Sequence, residues 1–269
     1  MIGHFALNRP LTEFRGQRIW LIGASSGIGA ALAEQLLELG AIVALSARRP
    51  APLEQLAQAH QLNQLNHQAM VLPFDVVDQP AWQAAYQQIC ACHGGVDLVI
   101  FCAAEYRPER SWEVDPQVAW RSLQVNLASV YTGLATVLPD MLARGAGGVA
   151  LIASVAGYMG LPGASVYGPS KAAMINLAEI LYSDLHPRGI NVYLINPGFV
   201  DTGLTRKNNF AMPALQTAQQ AASSILTGLK AGQFEIHFPR RFTRVLKLIS
   251  LLPYRWRFFL FKRVFHVAT

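Results

Sequence analysis

A chain of 269 residues, 52% hydrophobic and only 14% charged, carries enough apolar material for one large buried core and is incompatible with global disorder. Its net charge of +6 belongs to one end: residues 236–269 hold eight basic residues and no acidic ones, whereas residues 1–235 hold 14 basic against 16 acidic. Three cysteines (Cys90, Cys92, Cys102) make no disulfide-rich pattern, which points to a reducing, cytoplasmic setting, and Met1–Phe5 lacks the charged-then-apolar run of a cleaved secretion signal.

In chain order, Arg18–Ile22 is a short apolar run ending at Gly23, as expected of a strand buried on both faces. Helical spacing follows at Ile28, Leu32, Leu36 and Leu39, stopped by Gly40. Ala41–Leu45 is the second strand, and a Gln- and Leu-rich helix covers Pro52–Leu65. Met70–Phe74 leads to Asp75, and another helix starts near Pro80. Leu98–Cys102 is the fourth strand, and a long helix runs from Pro116 towards Leu138. Val149–Ala153 is the fifth strand, Ala164–Leu185 a helix, Ile190–Ile195 the sixth strand and Phe234–Phe238 the last. Strands alternating with amphipathic helices at this pitch predict one α/β domain of the Rossmann type, a doubly wound parallel sheet of about seven strands with helices on both faces. Ligands of such sheets bind beyond the C-terminal strand ends. The uncharged stretch Gly145–Ser170 is broken by glycine, proline and serine and reads as strand plus loop, not as a membrane span.

Chemistry concentrates at those strand ends. Gly23-Ala24-Ser25-Ser26-Gly27-Ile28-Gly29 lies between a hydrophobic strand and a helix, where a glycine-rich turn cradles a dinucleotide pyrophosphate. Tyr167 and Lys171 are four residues apart on one helix face, close enough for the ammonium to lower the phenol's pKa. At the end of the second strand, Leu45-Ser46-Ala47-Arg48-Arg49 lacks the acid that would hold ribose hydroxyls. It offers guanidinium groups suited to a phosphate instead, so NADP(H) is expected over NAD(H), with Arg48 as the main contact and Arg49 as a second. Cys90-Ala91-Cys92-His93 has neither metal-ligand spacing nor a second cluster, and no metal site is expected.

Over residues 15–205 the chain resembles the classical short-chain dehydrogenase/reductase family. The resemblance rests on Gly23-x-x-x-Gly27-Ile28-Gly29, Asp75, Asn126, Ser154, Tyr167-x-x-x-Lys171 and Pro197-Gly198, in the family's order and spacing. It implies an NAD(P)-dependent oxidoreductase acting between alcohol and carbonyl, with Asn126, Ser154, Tyr167 and Lys171 as catalytic residues. Tyr167 would be the proton donor or acceptor. Ser154 would bind the substrate oxygen, thirteen residues before Tyr167 as in the family, in preference to Ser165. Lys171 would bind the nicotinamide ribose and support the phenolate, and Asn126 would position a relay water. Further cofactor contacts are implied at Gly23, Ser25, Ser26, Gly27, Ile28, Gly29, Asp75, Val76, Ala103, Ala104, Asn126, Tyr167, Lys171, Pro197, Gly198, Val200 and Thr202. Two departures occur together: Ile22 stands where threonine is common, and Phe101-Cys102-Ala103-Ala104 replaces Asn-Asn-Ala-Gly. Joint loss of polar partners is compatible with altered bracing between strands. The resemblance also implies homodimers or homotetramers through the helices around 116–142 and 164–185.

Residues 1–238 thus read as the catalytic domain, with a mobile substrate cover over about 203–232 that includes Phe210–Leu229. Residues 239–269 read as a basic amphipathic tail. In it Arg240, Arg244 and Lys247 share one helical face and Phe242, Val245, Leu246, Ile249 and Leu252 the other; Trp256, Phe258, Phe259, Phe261 and Phe265 follow. Such a segment suits peripheral attachment to an anionic membrane surface, or packing on this protein's own body or a sister subunit. The expected activity is reduction of a ketone or aldehyde on a hydrophobic or lipid-like small molecule. The alternatives are a soluble 3-oxoacyl-thioester reductase and a non-catalytic, cofactor-binding, membrane-associated protein. Nucleic-acid binding is not expected.

Overall fold

A computed structural model describes residues 6–61, 69–208 and 212–264. Seven strands, β1 (Arg18–Ile22), β2 (Ile42–Ser46), β3 (Ala69–Val71), β4 (Leu98–Phe101), β5 (Gly147–Ile152), β6 (Ile190–Pro197) and β7 (Glu235–Phe238), form one wholly parallel sheet in the order β3-β2-β1-β4-β5-β6-β7. Helices α1 (Gly27–Glu38), α2 (Pro50–Gln61) and α7 (Ala218–Lys230) cover one face. Helices α3 (Gln79–His93), α5 (Ser129–Arg144) and α6 (Tyr167–Leu185) cover the other, with α4 (Pro116–Leu123) leading into α5. The strands carry uninterrupted apolar runs because both faces are buried: Ile19 and Leu21 enter one hydrophobic layer, Trp20 and Ile22 the other. Strand order reverses between β1 and β4, which opens a crevice at the C-terminal edge of the sheet.

Two sequence expectations are corrected. The long helix beginning at Pro116 is not one α-helix: a π-helical turn, Gln124–Ala128, divides α4 from α5, and the helix persists to Arg144. The tyrosine–lysine helix begins at Tyr167 itself, three residues later than its sequence start, so the phenol sits at the helix mouth. Within the expected cover, Gly203, Leu204, Thr205 and Asn208 line the cavity of this crevice, whereas the inner face of α7 joins the core. Ala221, Ala222, Ile225 and Leu229 of α7 are fully buried against α1, and Thr217 and Gln220 close a capping box at its start. The tail's first helix, α8 (Arg240–Ser250), packs on the body, one of the arrangements its sequence allowed: Thr243 is buried, and Lys247 pairs with Glu235 of β7. The end of the Pro52–Leu65 helix, Phe210 and the chain beyond Val264 lie outside the described residues.

The two departures from the family pattern meet across one strand pair. Ile22 and Phe101 are register partners on β1 and β4, and both are buried. Phe101 lies 6.0 Å from the Trp82 ring, within a cluster that also joins Trp82 to Trp20 (5.4 Å) and Phe74 (5.1 Å). Apolar packing thus replaces polar bracing, and Gly133 of α5 supplies the room: a β-carbon there would sit 2.4 Å from Phe101 Cε1 and 2.7 Å from Trp82 Cζ3. Gly133→Ala is therefore expected to destabilise the protein by about 1–3 kcal/mol through overpacking. Chemical denaturation checks this, and an unchanged midpoint would show that the aromatic cluster yields.

Candidate active site

The turn from β1 into α1 is shaped by what lies beside it. Gly23 has φ +96°, and a β-carbon on it would meet the backbone nitrogen of Ala103 at 2.5 Å. The loop after β4 therefore presses directly on the glycine turn. Gly29 carries no side chain because a β-carbon would fall 2.2 Å from the Gly23 carbonyl oxygen. Ser26, at the N-cap of α1, makes no side-chain capping bond. The uncapped helix start carries partial positive charge and faces the crevice, a setting for an anion.

Around this turn lies a cavity of about 650 Å³. Of the residues singled out in the sequence, Gly23, Ser25, Ser26, Gly27, Ile28, Arg48, Arg49, Val76, Ala103, Ala104, Ser154, Tyr167, Lys171, Pro197, Gly198, Val200 and Thr202 line it. Gly29, Asp75 and Asn126 do not. Gly29 packs beneath the turn. Burial pushes the Asp75 carboxyl up, but the hydrogen bond from Arg121 at 2.7 Å, the Val77 N–H and the charges of Arg121 and Arg48 together hold it below the ordinary value. Asn126 is buried in the π-helical turn, where its amide accepts from Glu105 N–H (2.7 Å) and donates to Glu105 C=O (2.9 Å) and Ser170 Oγ (3.2 Å). Ser165 bonds Ser111 and the Glu109 carbonyl and lies outside the cavity wall.

The inner end of the cavity is dry. Burial pushes the Tyr167 phenol up to about 12; a hydrogen bond with Ser154 draws it down, and Tyr106 and Cys102 add to the rise. In this state burial sets the direction of the phenol's shift. The lysine is buried too, its Nζ donates to Ile152 C=O at 2.7 Å, and it stands 5.6 Å from the Tyr167 ring centroid. The same desolvation brings its ammonium down to about 8. Ser154 caps a short 3-10 turn, its Oγ accepting from Ala156 N–H at 3.1 Å. The arrangement presents a protonated phenol, a hydroxyl and a readily deprotonated amine to one small volume, which suits proton exchange with a substrate oxygen.

Sequence reasoning missed much of the outer wall. Tyr106 packs edge-on to Tyr167 at 4.9 Å, and its hydroxyl donates to Asn208 Oδ1 at 2.7 Å, while Lys207 Nζ donates to the Tyr106 carbonyl at 2.9 Å. Leu161, Pro162, Ala164, Phe199 and Leu204 complete an apolar lining. Their only signal was position, since each follows the C-terminal end of a strand. Among the described residues no cluster of metal-ligating side chains is formed; Cys90, Cys92 and His93 end α3.

The family profile for short chain dehydrogenases matches residues 17–212. A relative from Myxococcus xanthus, described as an uncharacterized oxidoreductase, is 31% identical over 243 residues, covering 90% of this chain and 95% of its own. The chain belongs to the short-chain dehydrogenase family. It is accordingly an NAD(P)-dependent oxidoreductase. Two solved structures share the fold. A short-chain dehydrogenase/reductase from Burkholderia phymatum in complex with NAD has a TM-score of 0.79 and 24% identity over 88% of this chain and 93% of that one. A short-chain dehydrogenase from Sphingobium yanoikuyae in complex with NADPH has a TM-score of 0.76 and 22% identity over 88% and 97%.

Burying Lys171 has a stability cost with a definite pH signature. Its pKa is about 8 folded against an ordinary 10.5, so between these values the unfolded chain binds more protons and folding stability rises with pH. Below about pH 8 the full penalty, on the order of 3 kcal/mol, is present. Loss of the bond to Ile152 C=O offsets about 1 kcal/mol of the gain on removing the amine. Lys171→Met is thus expected to unfold at higher denaturant concentration than the parent at pH 7, with a gap that narrows towards pH 10. A gap that is absent or widens with pH would contradict this.

Proposed function

We propose that the protein is an NADP(H)-dependent reductase of ketones or aldehydes borne on hydrophobic, lipid-like small molecules. The observation that carries this reading is the half-buried, protonated Tyr167 beside Ser154, at the end of a cavity whose outer wall is apolar. When bound, NADPH supplies the hydride. The substrate oxygen accepts a hydrogen bond from Ser154 and the proton from Tyr167 as charge develops on it. The phenolate left behind is stabilised by Ser154 and by the ammonium of Lys171. Asn126 acts from behind, holding the backbone of Glu105 and the hydroxyl of Ser170, next to Lys171.

Gly23, Ser25, Ser26, Gly27, Ile28 and the start of α1 would hold the pyrophosphate, and Gly29 lets the turn close. Asp75 and Val76 would flank the adenine end, and Ala103, Ala104, Pro197, Gly198, Val200 and Thr202 the remainder. Arg48 and Arg49 would take the 2′-phosphate. Proteins bound to NAD and to NADPH share this fold, so the preference rests on these two arginines and the lack of an acid at the end of β2.

The tail supports the choice of substrate class. The inner face of α8 is fastened to the body, and Phe242 packs 5.7 Å from Phe199, itself a wall of the cavity. Outward, Val245 and Leu248 of α8, Leu251 just after it, and Tyr254, Trp256 and Phe258 of α9 (Tyr254–Val264) are exposed, with Arg241, Arg244 and Arg255 among them. No helix among the described residues is long and apolar enough to cross a membrane. A basic, aromatic surface of this kind suits the interface of an anionic bilayer, where each basic residue contributes about 1 kcal/mol. Residues 1–238 then form the catalytic body, and 239–269 a tail, docked through α8, that holds it at the inner face of a membrane. Exposed Trp120, Tyr131 and Ile180 on α4, α5 and α6 support a homodimer or homotetramer through those helices.

Tyr167→Phe should abolish NADPH oxidation by carbonyl compounds graded by chain length while still binding cofactor. In that inactive variant NADPH should bind at least about tenfold more tightly than NADH, as expected for a charge-assisted phosphate contact. Retained turnover, or equal affinity for the two cofactors, would overturn the corresponding part. For the tail, the full-length protein should bind phosphatidylserine vesicles at low salt and release at high salt. Replacing Leu248, Leu251 and Trp256 together with serine should weaken binding by about tenfold or more. Equal binding of the two proteins would remove the membrane reading and leave the compact 3-oxoacyl-thioester reductase as the better account of the site.

A further inference from the structure

Arg48 is not free in this fold. Its Nη1 lies 3.3 Å from Glu105 Oε1, and that same oxygen is 3.9 Å from Nε of Arg121, which also donates to Asp75 at 2.7 Å. Two acids and two arginines thus form a chain of charge, Asp75–Arg121–Glu105–Arg48, along one edge of the cofactor cavity. Glu105 cannot drift from it, because Asn126 holds both its backbone N–H and its carbonyl.

The sequence at the end of β2 has no acid to hold ribose hydroxyls or to repel a phosphate. The loop after β4 brings one to the same place from another part of the chain. We propose that Glu105 is a specificity-determining residue that tempers the preference for a 2′-phosphate by competing for Arg48. The inference rests on the reading of Arg48 as the phosphate contact. The Arg48 side chain is 58% exposed and that of Glu105 27%, so the pair is solvent-screened and weak enough to exchange. A phosphate with more negative charge than one carboxylate draws Arg48 away, and Arg121 remains as counter-ion for the acid that is left. With a ligand lacking the phosphate, Arg48 stays paired with Glu105. The site therefore admits both kinds of dinucleotide, at a ratio that Glu105 sets.

The probes are adenosine 2′,5′-bisphosphate and adenosine 5′-monophosphate, titrated calorimetrically into the full-length protein, so that binding is read without turnover. Glu105→Gln keeps the shape and the backbone contacts but removes the charge. It should raise the ratio of affinities for the bisphosphate over the monophosphate by about threefold to tenfold. Glu105→Asp, whose shorter side chain draws the carboxylate back from Arg48, should raise it less; a thermal melt of each variant confirms that it is folded. A ratio unchanged or lowered in folded Glu105→Gln overturns the proposal, the lowered case meaning that Glu105 presents Arg48 to the phosphate. The parent protein distinguishes the underlying reading. If its own ratio is near one and Arg48→Ala leaves it there, the phosphate assignment fails, whereas a high ratio that drops in Arg48→Ala and is unmoved in Glu105→Gln defeats only the role of Glu105.

Discussion

The contact of the Gly23 turn with the loop after β4 is the constraint from which the site follows. Adjacent parallel strands diverge where their crossovers run to opposite faces, and at β1 and β4 that divergence opens a crevice. Two loops must border it, and here they touch: any side chain on Gly23 would enter the backbone of Ala103. The contact fixes the floor of the cavity and sets Ala103 and Ala104 on its wall. It also directs the chain onward to Glu105, where Asn126 catches it. The π-helical turn containing Asn126 belongs to this arrangement. An extra residue in that turn rotates one polar side chain inward, between the β4 loop and α6, where a regular helix would carry on its own repeat.

What was legible in the sequence, and what was not, divides along physical lines. Strands buried on both faces have no alternation to misread, so β1, β4 and β5 lay where their apolar runs did. Gly23 and Gly27 were legible because few turns tolerate positive φ, and Lys171 because a helix places residue i+4 on the same face as residue i. Tyr106, Phe199 and Leu204 were not, because a cavity wall asks only for bulk and apolarity and many residues satisfy that. The packing of α7 was hard to read for a related reason. An Ala/Gln-rich helix has little hydrophobic signature, yet small side chains such as Ala221 and Ala222 allow it to lie close on α1 and be fully buried.

Chemical activity and stability pull apart at the inner end of the cavity. The desolvation that keeps Tyr167 protonated also makes a charged Lys171 costly, and among the described residues no acid is placed beside the lysine to relieve it; the hydrogen bond it makes reaches a backbone carbonyl. A carboxylate there would stabilise the ammonium and restore an ordinary pKa, but it would compete for the phenol's proton and repel the negative charge that develops on it. The fold instead absorbs the penalty in a core of two large apolar layers. Stability supplied by remote packing is what permits an uncompensated amine at the reacting centre.

The acids missing from that end are found at the other. Asp75 and Glu105 lie with Arg121 and Arg48 where the cavity meets solvent, and there screening makes each pair inexpensive to break. A partly exposed charge chain can rearrange when a ligand of different charge arrives; a buried one would have to leave a charge unpaired and could not. Polarity is therefore graded along the cavity, from an exchangeable ionic rim to a dry interior with one phenol, one hydroxyl and one amine. A ligand with a charged end and an apolar end meets the environment each of them requires only when it enters in one orientation. The docked α8 extends the apolar side of that gradient through Phe199 and Phe242 to the outer surface of the protein. The route by which an apolar substrate would reach Tyr167 is thus continuous with a surface that exposes aromatic and aliphatic side chains together.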